Sequence, residues 1–127
     1  KSSEAAQTIL VVDDSITTRT LEKNILEAAG YRVRLATDGE EAFNMLLAET
    51  LPNLIISDVE MPRLDGFGLG QRLKQDKRFS NIPFILVTSL DSPASKARGI
   101  EIGADAYIVK SSFDQVDLLQ TIQQLIL

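Results

Sequence analysis

The sequence of 127 residues has neither cysteine nor histidine, and each absence removes a class of chemistry. Without thiols there are no disulfides and no cysteine nucleophile. Without imidazole there is no Ser-His-Asp relay, and zinc sites of the usual ligand types are excluded with it. Positive charge is also scarce: 13 Lys and Arg face 18 Asp and Glu, for a net charge of −5. The basic residues form no cluster, which argues against a general nucleic-acid surface, because neutralising phosphates needs grouped Lys and Arg. Apolar runs are only a handful of residues long, too short to cross a bilayer, and no signal-peptide pattern opens the chain. A soluble, cytoplasmic protein is expected, whose chemistry runs on carboxylates, hydroxyls and amines.

What is present fits one globular domain. Hydrophobic residues make up 44% and charged residues 24%, near the average for folded domains. A chain of this length buries roughly two thirds of its unfolded surface and folds without staples. Lys1 to Gln7 is small and polar and reads as a linker remnant. With Lys1 rather than methionine at the start, an excised domain covering residues 8–127 is expected.

From Thr8 onward, strand and helix patterns alternate. Thr8 to Val12 is an apolar, β-branched run ending on Asp13 and Asp14. Ser15 to Ala29 carries Ile16, Leu21, Ile25, Leu26 and Ala29 near helical spacing, with Gly30 as the C-terminal cap. Tyr31 to Ala36 alternates as a strand. Asp38 and a reciprocal acid cap a helix through Phe43, Met45, Leu46 and Leu47, which Pro52 closes. Leu54 to Ile56 is a short strand buried on both faces; it leads to Asp58 and is stopped by Pro62. A loop over Arg63 to Gly66 precedes a helix from Phe67 to Lys77, weakened by Gly68 and Gly70. Phe84 to Thr88 is the fourth strand. Ser92 and Pro93 start a helix over Ala94 to Ile102 that stops at Gly103. Ala106 to Val109 is the fifth strand, and Phe113 to Ile126 the last helix, with Phe113, Val116, Leu119, Ile122 and Ile126 on one stripe. Five strands alternating with five helices predict an α/β fold with a parallel sheet covered on both faces.

In such a sheet the carboxyl ends of the strands share one edge, where the loops diverge and ligands bind. That edge collects Asp13 and Asp14 from the first strand, Asp58 from the third, Thr88 and Ser89 from the fourth, and Lys110 from the fifth. Three converging carboxylates repel one another and drive a pKa upward unless a cation sits among them. A hard divalent ion, most naturally Mg²⁺, answers that need and keeps positions open for a phosphoryl group. A lysine and a hydroxyl complete a donor set suited to phosphoryl oxygens. Taken singly, each piece has an ordinary reading: helix capping for Asp13 and Asp14, turn chemistry for Thr88 and Ser89, a solvated strand end for Lys110, core packing for Tyr107. Only their joint placement points to a phosphoryl site on a carboxylate.

From Thr8 to the end, the chain resembles the receiver domains of bacterial two-component signalling. The likeness rests on Val11-Val12-Asp13-Asp14-Ser15, Asp58-Val59-Glu60-Met61-Pro62 with Asp65-Gly66, Val87-Thr88, Gly103-Ala104-Asp105 and Tyr107-Ile108-Val109-Lys110. It implies a five-stranded (βα)5 flavodoxin-like fold with strand order 2-1-3-4-5, the order for which the chemotaxis receiver is a standard example. It implies that Asp58 is the phospho-acceptor and that Asp13, Asp14, Asp58 and the backbone carbonyl of Glu60 hold Mg²⁺. It also implies that Lys110 and Thr88 contact the phosphoryl group, and that Thr88 and Tyr107 form a switch. The phosphate would come from a histidine kinase or phosphohistidine domain, in another chain or in the same polypeptide. The protein would catalyse its own phosphorylation and dephosphorylation without being a turnover enzyme.

Two positions depart from the family pattern. Lys110 is followed by Ser111-Ser112-Phe113 where the family usually has a cis proline. A cis bond before serine costs about 3 kcal/mol, so a trans bond and a changed loop before the last helix are expected. Glu60 and Leu90 stand two residues after Asp58 and Thr88, beside the approach of a hydrolytic water. The run Lys110 to Gln115 is similar to receivers at the C-terminus of chemotaxis-type hybrid histidine kinases. Three competing readings differ in chemistry. A flavodoxin-like cofactor binder needs an acid-free loop after the first strand. An aspartate-nucleophile phosphatase needs a second acid two residues after its nucleophile. A degenerate receiver would act only as a docking module.

Overall fold

The computed structural model describes residues 6–126, so residues 1–5 of the expected linker lie outside the described chain. The elements are β1 (Thr8–Val12), α1 (Ile16–Ala28), β2 (Arg32–Ala36), α2 (Gly39–Ala48), β3 (Leu54–Ser57), α3 (Gly66–Lys74), β4 (Phe84–Thr88), α4 (Pro93–Glu101), β5 (Ala106–Val109) and α5 (Gln115–Leu125). All strand pairs are parallel and the order is β2-β1-β3-β4-β5. The α/β, flavodoxin-like class and the 2-1-3-4-5 order expected from the sequence are therefore borne out. Just before β1, the Gln7 carbonyl accepts the Arg32 N–H at 2.9 Å.

Alternation along the central strands builds two cores. Leu10, Val12, Ile55, Phe84 and Leu86 point to one face and pack with Leu46 of α2 and Leu69 and Leu73 of α3. Ile9, Val11, Ile56, Ile85 and Val87 point to the other and pack with Leu26 of α1 and Leu118 and Ile122 of α5. Each helix is started by a side chain that accepts a backbone N–H: Ser15, Asp38, Asp65, Ser92 and Asp114. Each cap contributes about 1 kcal/mol. Gly30 and Gly103 follow α1 and α4 with φ of +97° and +90°, the left-handed termination expected of them.

The helix faces depart from expectation. Ile16 and Leu21, which share the apolar helical spacing of this segment, are 71% and 51% exposed, and the buried position between them and Ile25 is Glu22. On α5, Val116 is 58% exposed and Leu118 takes its place in the core. Val116 lies six residues from Ile122, about 240° around the helix, whereas Leu118 lies one turn away. Helix α3 stops at Lys74 rather than Lys77 because the Asp76 carboxylate accepts the Arg78 N–H at 2.9 Å and pairs with its guanidinium, drawing the backbone into a turn. Helix α2 ends at Ala48, four residues before Pro52, and its Glu41 reaches back to the Thr37 N–H at 2.6 Å rather than to that of Asp38.

Urea unfolding should separate the two α5 positions. Ile122→Ala is expected to cost about 2–5 kcal/mol. Val116→Ala should stay within about 0.5 kcal/mol of the parent.

Candidate functional site

Asp13 leaves β1 fully buried. Its N–H donates to the Ala36 carbonyl at 3.1 Å, its Oδ1 accepts the Ser15 N–H at 2.8 Å, and its own carbonyl accepts the Arg19 Nη1 at 2.7 Å. Asp58 leaves β3 in the same way. Its N–H donates to the Val12 carbonyl at 2.9 Å and its Oδ1 accepts the Val59 N–H at 2.7 Å. Lys110 follows β5 in a single 3₁₀ turn, Lys110–Ser112. Its Nζ donates to Asp13 Oδ2 at 3.1 Å and to Asp58 Oδ2 at 3.2 Å. One ligand oxygen from each of Asp13, Asp14 and Asp58 lies within 4.8 Å of the others. The described peptide bonds are all trans, as expected at Ser111.

The loop from β3 to α3 closes against this centre. The Gly66 N–H donates to the Val59 carbonyl at 2.8 Å, and a Cβ at Gly66 would stand 2.1 Å from the Asp58 carbonyl oxygen. Only glycine permits that approach. The side chain of Glu60 stays outside the acidic cluster and accepts from Ser89 Oγ at 3.3 Å. Thr88 is buried one strand away, and its Oγ1 accepts the Leu90 N–H at 3.3 Å. The Leu90 carbonyl in turn accepts the Tyr107 hydroxyl at 2.8 Å. The two expected switch residues are thus joined through one residue, Leu90. Asp13, Asp14, Asp58 and Lys110 come together as anticipated, whereas the Glu60 side chain does not join them.

Three acids against one ammonium leave the centre short of positive charge. Burial pushes the Asp13 carboxyl up, as does the charge of Asp58, while the Ser15 N–H and Lys110 pull it down. For Lys110, burial works downward, but Asp58 and Asp13 outweigh it and the ammonium is held above its ordinary value. The donor set is all oxygen, charged and partly open, which suits a hard divalent cation such as Mg²⁺.

Glu22 was not anticipated as part of this region. It is 3% exposed and lines a cavity of about 140 Å³ with Thr18, Leu21, Val87, Lys110 and Phe113. Burial foremost, then the charges of Asp13 and Asp58 against that of Lys110, raises its pKa to about 8. Counting α1 positions back one turn from Leu26 would have found it.

A family model for the response regulator receiver domain matches residues 9–123. The gliding motility regulatory protein of Myxococcus xanthus is 44% identical over 117 residues, covering 92% of this chain and 15% of that protein. A probable transcriptional regulator, ycf27, of Cyanophora paradoxa is 46% identical over 102 residues, covering 80% of this chain and 41% of its own. The chain thus spans less than half the length of these curated relatives. The signal receiver domain of a histidine kinase from Syntrophus aciditrophicus superposes with a TM-score of 0.89 at 40% identity, over 95% of this chain and 90% of that one. The receiver domain of a Pseudomonas aeruginosa sensor histidine kinase, which has a magnesium ion coordinated in its active site cleft, gives a TM-score of 0.87 at 26% identity, over 96% and 98% of the two chains.

The buried acid makes stability depend on pH. The unfolded chain releases the Glu22 proton near 4.5 and the folded chain near 8. Between those values the native state holds the extra proton, so this contribution falls as pH rises. In metal-free buffer, Glu22→Gln should gain on the wild type by roughly 1–3 kcal/mol between about pH 5 and pH 8, read by urea unfolding. A constant difference across that range would disprove the assignment.

Proposed function

The chain belongs to the response regulator receiver domain family, and we propose on that premise that Asp58 accepts a phosphoryl group in two-component signalling. The observation that carries this reading is the Lys110 ammonium shared between Asp58 and Asp13, with Asp14 beside them. A carboxylate oxygen of Asp58 attacks phosphorus in line. The phosphorus–nitrogen bond of a phosphohistidine breaks, and its electron pair leaves with the imidazole. No histidine exists in this chain, so the donor is a histidine kinase or phosphohistidine domain elsewhere.

Asp13, Asp14, Asp58 and the Glu60 carbonyl would hold Mg²⁺, which when bound neutralises charge on the phosphoryl oxygens. The magnesium ion in the Pseudomonas neighbour supports this choice. Lys110 remains protonated and exchanges its contact with Asp58 Oδ2 for a phosphoryl oxygen. The Thr88 hydroxyl, which only accepts from Leu90, has its proton free to donate to the same group. Release of Leu90 then reaches Tyr107 through the carbonyl that the tyrosine holds.

The domain works in the cytoplasm; among the described residues no helix is long and apolar enough to cross a membrane. Its likeness to receivers of histidine kinases supports a place in a hybrid kinase, and that to a gliding-motility regulator supports a chemotaxis-like circuit. Contact of this domain itself with nucleic acid is not part of the reading, given a net charge of −5.

Intact mass after incubation with a small phosphodonor and Mg²⁺ tests the central step. One phosphoryl addition is expected, absent in Asp58→Asn and absent with chelator. Lys110→Ala should slow the addition by about 10²-fold. No addition to the wild type would favour a phosphorylation-independent docking module.

A further inference from the structure

We propose that Arg63 is a positioning residue for the cation site, latching the tip of the β3–α3 loop to the start of α2. This rests on the proposed role of Asp58 and Glu60 in holding a divalent cation. The loop is closed at its base by the Gly66 N–H bonded to the Val59 carbonyl, and it carries Glu60 near its start. Its tip is tied twice. The Gly39 N–H donates to the Leu64 carbonyl at 2.9 Å, and the Arg63 guanidinium donates to Asp38 Oδ2.

Asp38 is a rigid anchor. Its side chain is 1% exposed, against 65% for Arg63, and its Oδ1 already caps α2 by accepting the Glu41 N–H at 2.8 Å. Removing Arg63 therefore leaves the cap in place and frees only the loop. Other carboxylates line the cleft beside Arg63, but each is engaged: Glu49 with Arg34 at 2.9 Å, Glu41 with Thr37 at 2.6 Å, and Glu40 with Arg72 at 3.8 Å. Arg63 also sits at φ +64°, the one left-handed non-glycine residue among those described. A side chain seldom adopts that conformation unless its surroundings hold it there. The ion pair and the Gly39 bond supply the holding contacts, and they fix the path of the loop that carries Glu60.

The test is Mg²⁺ titration by calorimetry together with amide hydrogen exchange over residues 60–65. Arg63→Asn is the main variant because asparagine tolerates the left-handed backbone but lacks the guanidinium. It should weaken Mg²⁺ binding by about 10-fold, the low end for partners that orient metal ligands. Loop amides should exchange faster while the thermal midpoint moves by no more than about 4 °C. Arg63→Lys should restore most of the affinity. Asp38→Asn should match Arg63→Asn, and the double variant should be no worse than either, the signature of one shared interaction. Unchanged affinity and exchange in Arg63→Asn, additive losses in the double variant, or affinity that follows the thermal midpoint alone would each overturn the proposal. If the wild type binds no Mg²⁺, the functional reading fails. Loop exchange then decides on Arg63 alone, with unchanged rates overturning the latch.

Discussion

The contact on which the rest depends is the ammonium of Lys110 held between the carboxylates of Asp13 and Asp58. Strand β4 separates β5 from β3, so a side chain leaving β5 must reach across one strand to meet β3 and a second to meet β1. The order of the sheet makes that reach possible, because it brings all the carboxyl ends to one edge. Two buried acids side by side would otherwise repel, and the lysine offsets that cost. The same lysine cannot satisfy Asp14 as well, and the unmet negative charge is what gives the centre its demand for a cation.

Much of this was legible from the chain because the strands are short, apolar and punctuated. Each of β1, β3 and β4 is a run without a polar interruption, and each is followed at once by an acid or hydroxyl. A parallel sheet then sends those groups to one edge without any knowledge of distances. The helices were harder. An apolar residue on a helix such as Val116 or Ile16 matches a stripe in the sequence, yet the stripe actually buried is set by where the helix lies on the sheet. That information is tertiary. The early end of α3 is different in kind: Asp76 and Arg78 compete locally with the helix, a signal present in the sequence but easily outweighed by the helical spacing around it.

Glu22 and Arg63 were missed for opposite reasons. Glu22 is a charged residue on a face where charge is costly, so pattern reasoning assigns the core to its apolar neighbours instead. Its burial follows from the closeness of α1 to the lysine and the acids, which no spacing rule encodes. Arg63 lies in a loop, where an arginine is normally solvated, and its partner is 25 residues earlier in sequence. Glu22 lines a cavity with Lys110 and Arg63 pairs with the start of α2, so the surroundings of both depend on how α1 and α2 pack beside the sheet.

The residue Leu90 has a mechanical consequence. Its N–H is held by Thr88 and its carbonyl by Tyr107, so two successive amides that meet at one α-carbon are tethered to different strands. Each amide is rigid, and only the φ and ψ of Leu90 lie between them. Turning the first amide out of its bond must therefore be absorbed at those two torsions or carried into the second. The loop is a linkage with a single pair of hinges, short enough that a movement at the end of β4 has little room to dissipate before it meets the hydroxyl on β5.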